Sequence, residues 1–447
     1  MSPITLRQKF AYSGGDFAFN LLFGSVGAFL LYFYTDVYGL SAAQAGLVLL
    51  VARVWDACFD VGLGMVVDRT KSRWGQMRPY LFLGAPLLGL TAVACFSVPE
   101  GGSEFKLMYA FLTYTALMSA YSLVNIPYGA LPTLMSDDQG ARTGLASWRM
   151  FFAFTGTLVM GAGTQPLVAV FGQGDAKHGY QMVMAIYGVI VTLLVWICAW
   201  TCKETVPAVR HAEKSSPFAD IGMLINSRAW LILAATSLIT FSLLLLPIAN
   251  AVYFMSYVVG SPQSIPIYMM ALGLSMMMSA LLSGFLTKRF CKRNVWRASS
   301  LVSCLGFLTL YFIDHKNFGL VLFVTFLTNV GGGVSMPINF SNASDVADDI
   351  EAKRGRRLPG LVFSTLAFTG KAGMGLSGAI AGAVLSTTGY VPNSAQSADT
   401  LFGIVACMSL IPAAGCAALL LLQLVYPIGK KDLTNLAEKL RLQRAAT

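Results

Sequence analysis

The sequence predicts an all-α membrane protein of twelve transmembrane helices in two six-helix bundles. Three observations predict it. Hydrophobic residues fill 56% of the 447 positions and charged residues only 12%, about half the roughly 25% charge of a soluble domain. Mean hydropathy is +0.65. The apolar residues gather into stretches near the roughly 20 residues that a spanning helix needs, and the positive charges gather in alternate connections between them.

The stretches fall at about 14–36, 41–65, 80–98, 106–131, 144–171, 180–201, 229–257, 266–287, 298–313, 318–341, 359–387 and 400–426. The third and ninth are the shortest. Barrel strands are ruled out, since they are near 10 residues long and alternate in polarity. With the N-terminus inside, 25 of the 31 Lys and Arg residues lie on the cytoplasmic side. Outside loops hold only Lys106, Lys177 and Lys316, and spans hold Arg53, Arg149 and Lys371. This asymmetry follows the positive-inside rule and places both termini in the cytoplasm. It also accounts for the net charge of +10 without a nucleic-acid partner. No signal-peptide cleavage pattern opens the chain, so the first helix is expected to be retained.

The polar connection 202–228 is the largest and splits the spans six and six. The expected organisation is an N-terminal bundle over 1–201, the central cytoplasmic loop 202–228, a C-terminal bundle over 229–426 and a cytoplasmic tail over 427–447. Such a division suits a substrate path between two repeats. The tail carries Leu433, Leu436 and Leu440, the spacing of an amphipathic helix on a membrane or partner surface. Eight cysteines without paired spacing give no disulfide or metal framework. The three histidines lie in loops, so a membrane enzyme built on a His–Cys pair or a His metal cluster has no residues to use.

Ionisable groups inside spans carry the functional signal, because each costs roughly 2.5–3.5 kcal/mol at the bilayer centre. The second span contains Arg53, Asp56 and Asp60, which fall within an arc of about 60° on one helix face. Two carboxylates there repel unless a cation or proton lies between them. An Arg53–Asp pair that locks this helix to a neighbour explains one carboxylate and leaves the second, so the face is expected to be a monovalent-cation or proton site. The fourth span places Ser122 and Asn125 on one face next to Tyr121, ahead of Pro127; hydroxyl and amide groups there suit a polyhydroxylated ligand, the cation site or interhelical bonding. Arg149 supplies a rigid donor fork, with Trp148 beside it. Lys371 is the one charge of the eleventh span. Asp16 and Asn20 lie a turn apart in the first span, where Asp16 also suits a helix N-terminus.

Several stretches carry a resemblance. Gly64-Met65-Val66-Val67-Asp68-Arg69, with Arg73 following, resembles the first cytoplasmic loop motif of the major facilitator superfamily. Tyr12-Ser13-Gly14-Gly15-Asp16, Tyr34-Thr35-Asp36-Val37, Val51-Ala52-Arg53-Val54-Trp55-Asp56-Ala57 and Tyr121-Ser122-Leu123-Val124-Asn125-Ile126-Pro127-Tyr128-Gly129 are similar to the glycoside–pentoside–hexuronide:cation symporters, the melibiose permease group. The C-terminal half agrees through Asp345, Asp348, Glu351 and Lys371.

The resemblance implies the major facilitator fold in a bacterial inner membrane and cation-coupled symport of a sugar or glycoside by alternating access. It implies no cofactor beyond a coupling Na⁺ or H⁺. It places the cation at Asp56, Asp60 and Ser122, with Arg53 in their charge network. Substrate falls to Asp16, Asn20, Tyr121, Asn125, Trp148, Arg149 and Lys371, and gating to Asp68, Arg69, Arg73, Asp345, Asp348 and Glu351. Asn20 and Asn125 are matched to positions that are Asp in galactoside members. Gly129 and Met336 stand where those members carry Trp. The cavity is therefore expected to be net positive and to favour an anionic glycoside such as a glucuronide. A lysolipid-like or other amphipathic substrate is the alternative.

Overall fold

The computed structural model describes residues 5–70, 72–135, 139–204, 222–354 and 359–429. No strand occurs among them. In the first half, α1 covers Leu6–Tyr32, α2 Ala42–Arg69, α3 Arg78–Cys95, α4 Ser103–Met135, α5 Gln139–Gly172 and α6 Ala176–Thr201. In the second half, α7 covers Arg228–Ile239, α8 Leu246–Tyr253, α9 Ile265–Arg289, α10 Lys292–Phe312, α11 Phe318–Gly333, α12 Ser335–Arg354, α13 Pro359–Thr387, α14 Ala398–Met408 and α15 Leu410–Leu424. Among the described residues, ten helices, single or joined, are long and apolar enough to cross a bilayer. The charge-bearing α2 and α13, of 28 and 29 residues, have the length to do the same.

Local chemistry sets the ends. Thr5 and Ser41 open α1 and α2 with capping boxes completed by Gln8 and Gln44, which satisfy two orphan donors at each terminus. α3 lacks such a cap in its own sequence. The Glu204 carboxylate instead accepts from the backbone N–H groups of Gln76 at 2.7 Å, Met77 at 2.8 Å and Arg78 at 3.2 Å. The seventh span is not one α-helix, because π turns at Thr240–Leu244 and Phe254–Val259 interrupt it. Another, Phe33–Val37, ends the first span.

The chain divides into two compact units, Met1–Arg210 with Ile248–Gly273 and Gly378–Leu401, and His211–Pro247 with Leu274–Ser377 and Phe402–Thr447. In the first, α1 packs on α5 and α6, α3 on α4 and α6, and α2 on α4. Gly89 of α3 and Gly188 of α6 meet backbone to backbone, and a Cβ on Gly89 would lie 3.0 Å from the Gly188 carbonyl oxygen. In the second, α10 packs on α11 and α15, and α7 on α12 and α15. Trp296, Leu233 and Val346 are buried together there. The proposed tail helix around Leu433–Leu442 lies outside the described residues.

Candidate cation and substrate site

The cation face is carried by α2. Asp56 is fully buried and Asp60, one turn on, is half-buried. Ser122 of α4, also buried, donates its hydroxyl to Asp56 Oδ1 at 2.7 Å. The structure thus brings together Asp56 and the Ser122 hydroxyl expected beside it. Arg53 is buried one turn before Asp56, its guanidinium carbon 4.7 Å from the centre of the Phe23 ring. That cation–π contact steadies a charge that faces little water.

Next to it lies a polar network among α1, α4 and α5. Asp16 receives a two-pronged bond from Arg149, Nε to Oδ2 at 2.7 Å and Nη2 to Oδ1 at 3.1 Å. The Tyr128 hydroxyl lies 2.6 Å from Asp16 Oδ2 and 2.5 Å from the Tyr12 carbonyl oxygen. The Tyr12 hydroxyl donates to the Tyr128 carbonyl at 2.8 Å, and the two rings stack at 4.5 Å. Arg149 sits over both rings, 5.4 and 5.3 Å from their centres. Gly15 makes room for this arrangement, since a Cβ there would lie 2.5 Å from Tyr128 Cε2.

This network corrects one expectation. Arg149 is not an uncompensated charge facing the substrate, because the Asp16 carboxylate balances it. Nor is Asp16 simply a helix-terminus complement. Asn20 donates to the Asp16 carbonyl at 2.8 Å and accepts from Thr157 at 3.3 Å. Asn125 donates to the Tyr121 hydroxyl at 3.2 Å, and Tyr121 stacks on Phe23 at 4.5 Å. Both amides are part-buried. Trp148 joins an aromatic cluster with Phe10 at 4.8 Å and Phe152 at 6.2 Å.

Lys371 belongs to the second compact unit, half-buried on α13. Met336 lies there also, on α12. Of the gating residues, Asp345 is ion-paired with Lys292, and Asp348 and Glu351 are half-buried on α12. Arg73 is exposed beside Trp74. The side chains of Asp68 and Arg69, at the end of α2, lie outside the described residues. Sequence reasoning missed Tyr12, Tyr128 and Thr157 as organisers of the network. Tyr12 and Tyr128 stood in the conspicuous motifs, but an aromatic on a membrane helix reads first as packing.

A family model described as MFS/sugar transport protein matches residues 11–430. The chain belongs to this family. Among relatives of this MFS sugar transporter, a putative glycoside/cation symporter of Escherichia coli (strain K12) is 33% identical, over 100% of this chain and 97% of that protein. An isoprimeverose transporter of Lactiplantibacillus pentosus is 33% identical, over 96% and 90%. A glucuronide carrier protein homolog of Escherichia coli (strain K12) is 30% identical, over 96% and 94%. The crystal structure of a D-xylose–proton symporter shares the fold with a TM-score of 0.72 at 12% identity, over 95% of this chain and 98% of that one.

Proposed function

We propose that this chain is a cation-coupled symporter of a sugar or glycoside, with both termini in the cytoplasm of a bacterial cell and Na⁺ or H⁺ as coupling ion. One observation carries the reading: two carboxylates share a face of α2 within the membrane, and one of them is fully buried against the Ser122 hydroxyl. A monovalent cation or a proton relieves the repulsion between Asp56 and Asp60. Binding there and binding of substrate favour the same state of the protein, which is what coupling requires. The relatives' names support the substrate class.

Within that class the geometry favours a neutral glycoside over a glucuronide. The Asp16 carboxylate takes up the charge of Arg149, and the amides of Asn20 and Asn125 and the Tyr121 hydroxyl suit sugar hydroxyl groups. Nothing in the network calls for an amphipathic lipid.

The test uses the purified protein in proteoliposomes. Asp56→Cys abolishes uphill uptake driven by a Na⁺ or H⁺ gradient while downhill exchange of the glycoside persists. Full accumulation by this variant removes the ion-site assignment. A panel of neutral glycosides and glucuronides, assayed by competition, decides the charge preference.

A further inference from the structure

The end of α9, the start of α10 and the short link between them, together with Asn342 of α12 and the chain leaving α15, surround a cavity of about 330 Å³. It lies wholly within the second compact unit and shares no residue with the transport site. Its wall includes Lys288, Arg289, Arg293, Asn342 and Tyr426. Lys292 also lines it but is committed elsewhere, to Asp345 and to the Ser341 hydroxyl at 3.1 Å. Among the described residues no carboxylate pairs with Lys288, Arg289 or Arg293.

Three donors on this wall are sealed from solvent without a hydrogen-bond partner: Arg293 Nε, Asn342 Nδ2 and the Tyr426 hydroxyl. Asn342 is 2% exposed and Tyr426 3%. A buried donor left unmet costs about 1–3 kcal/mol, and three such groups on one small cavity are not packing accidents of separate places. They come from α10, from α12 and from the segment after α15. Burial, reinforced by Asp345 and Asp349, pushes the Tyr426 hydroxyl well above its ordinary value, so it stays a donor. Those two carboxylates are themselves engaged by Lys292 and Lys353. The N-terminus of α10 opens here, and its N-cap residue Cys291 supplies no capping bond. A helix N-terminus carries partial positive charge and attracts anions.

The charged side chains of this wall are all basic, and each of the three buried groups can donate a proton. We propose that this cavity is a binding site for a phosphate group, held by Arg293, Asn342 and Tyr426 at the mouth of α10 with Lys288 and Arg289 supplying charge. A tetrahedral oxyanion presents oxygens in several directions at once, which matches donors arriving from three elements. The volume leaves room for a substituent such as glycerol. The cavity sits where spans end, so a lipid phosphodiester and a soluble phosphate ester both have access. Basic pockets between membrane helices hold lipid headgroups in this manner.

The experiment compares the full-length protein in detergent with Tyr426→Phe and Asn342→Leu, which delete a donor without altering charge. Thermal unfolding is followed against short-chain phosphatidylglycerol, glycerol 3-phosphate, inorganic phosphate and, as the phosphate-free lipid, diacylglycerol. The melting temperature of the wild type rises with at least one phosphate probe. The half-maximal concentration increases about tenfold in each variant. The probe-free melting temperature does not fall in Tyr426→Phe, because the deleted hydroxyl has no partner to lose. A response to phosphatidylglycerol alone supports the site and makes the source a lipid; a response to glycerol 3-phosphate or inorganic phosphate supports it with a soluble source. The proposal is overturned by equal stabilisation from diacylglycerol, by variants that respond like the wild type, or by no response to any phosphate probe. The assay reads binding and does not depend on transport.

Discussion

Asp16 receives Arg149 through two bonds and shares the Tyr128 proton with the Tyr12 carbonyl. Removing its charge leaves a guanidinium that is about two-thirds buried without its counter-ion; the side chains are 32% and 12% exposed. Loss of one partner of a buried pair costs about 3–5 kcal/mol, and the exposed fraction of Arg149 lowers this to about 2–3 kcal/mol through solvent screening. Asp16→Asn is therefore expected to lower the thermal stability of the purified protein by about that amount, and Arg149→Lys, which loses the fork geometry, to fall between the two. A melting curve unchanged by Asp16→Asn contradicts the network. The Asp56–Asp60 pair was legible in the sequence because intramembrane carboxylates stand out at helical spacing. The Asp16–Arg149 pair was not, since the two lie 133 positions apart and no periodicity links them.

Two prolines inside helices are answered by side chains from other helices. Proline lacks the N–H that would bond the carbonyl four residues earlier, and in a membrane that carbonyl has no water to turn to. Pro86 of α3 frees the carbonyl of Phe82, and the Trp196 indole N–H of α6 donates to it at 2.9 Å. Pro132 of α4 frees the carbonyl of Tyr128, and the Tyr12 hydroxyl supplies the donor. Trp196→Phe keeps most of the ring but removes the N–H. It is expected to cost about 1–3 kcal/mol, read as a lowered melting temperature, whereas Trp200→Phe on the exposed face leaves stability nearly unchanged. Pro127 had suggested such a need for partners in α4; the carbonyl that is met belongs instead to the turn opened by Pro132. Helices as such were readable from apolar length. Their ends were not, as with α10, which starts at Lys292 rather than 298 because Lys292, Arg293 and Arg297 lower the apolarity of a turn that is nonetheless helical. The π turns leave no compositional trace.

At the scale of the molecule, packing joins segments that are far apart in the chain. Segments 248–273 and 378–401 pack with the first half of the chain. Part of the tie is a cluster on Asp36, whose carboxylate accepts from the Tyr257 hydroxyl at 2.8 Å and the Tyr390 hydroxyl at 2.6 Å, while Asn393 donates to its carbonyl at 2.9 Å. The Thr35 hydroxyl lies 2.7 Å from that of Tyr253. Asp36→Ala is expected to speed amide hydrogen exchange in 254–259 and 388–393 while leaving α3 and α6 protected. Uniform protection across those segments rules out this role for Asp36. Loop position and charge count divide a sequence well, but they carry no information on which distant segments share packing, so this grouping could not be read in advance. The Glu204 cap has a different sort of consequence. The residue belongs to the polar connection by sequence, yet it finishes the start of α3 more than 120 positions earlier. The chain therefore has an uneven tolerance for being severed. A break placed after Glu204 leaves the N-terminal fragment with the acceptor for the first N–H groups of α3, whereas one placed a few residues sooner takes that acceptor away.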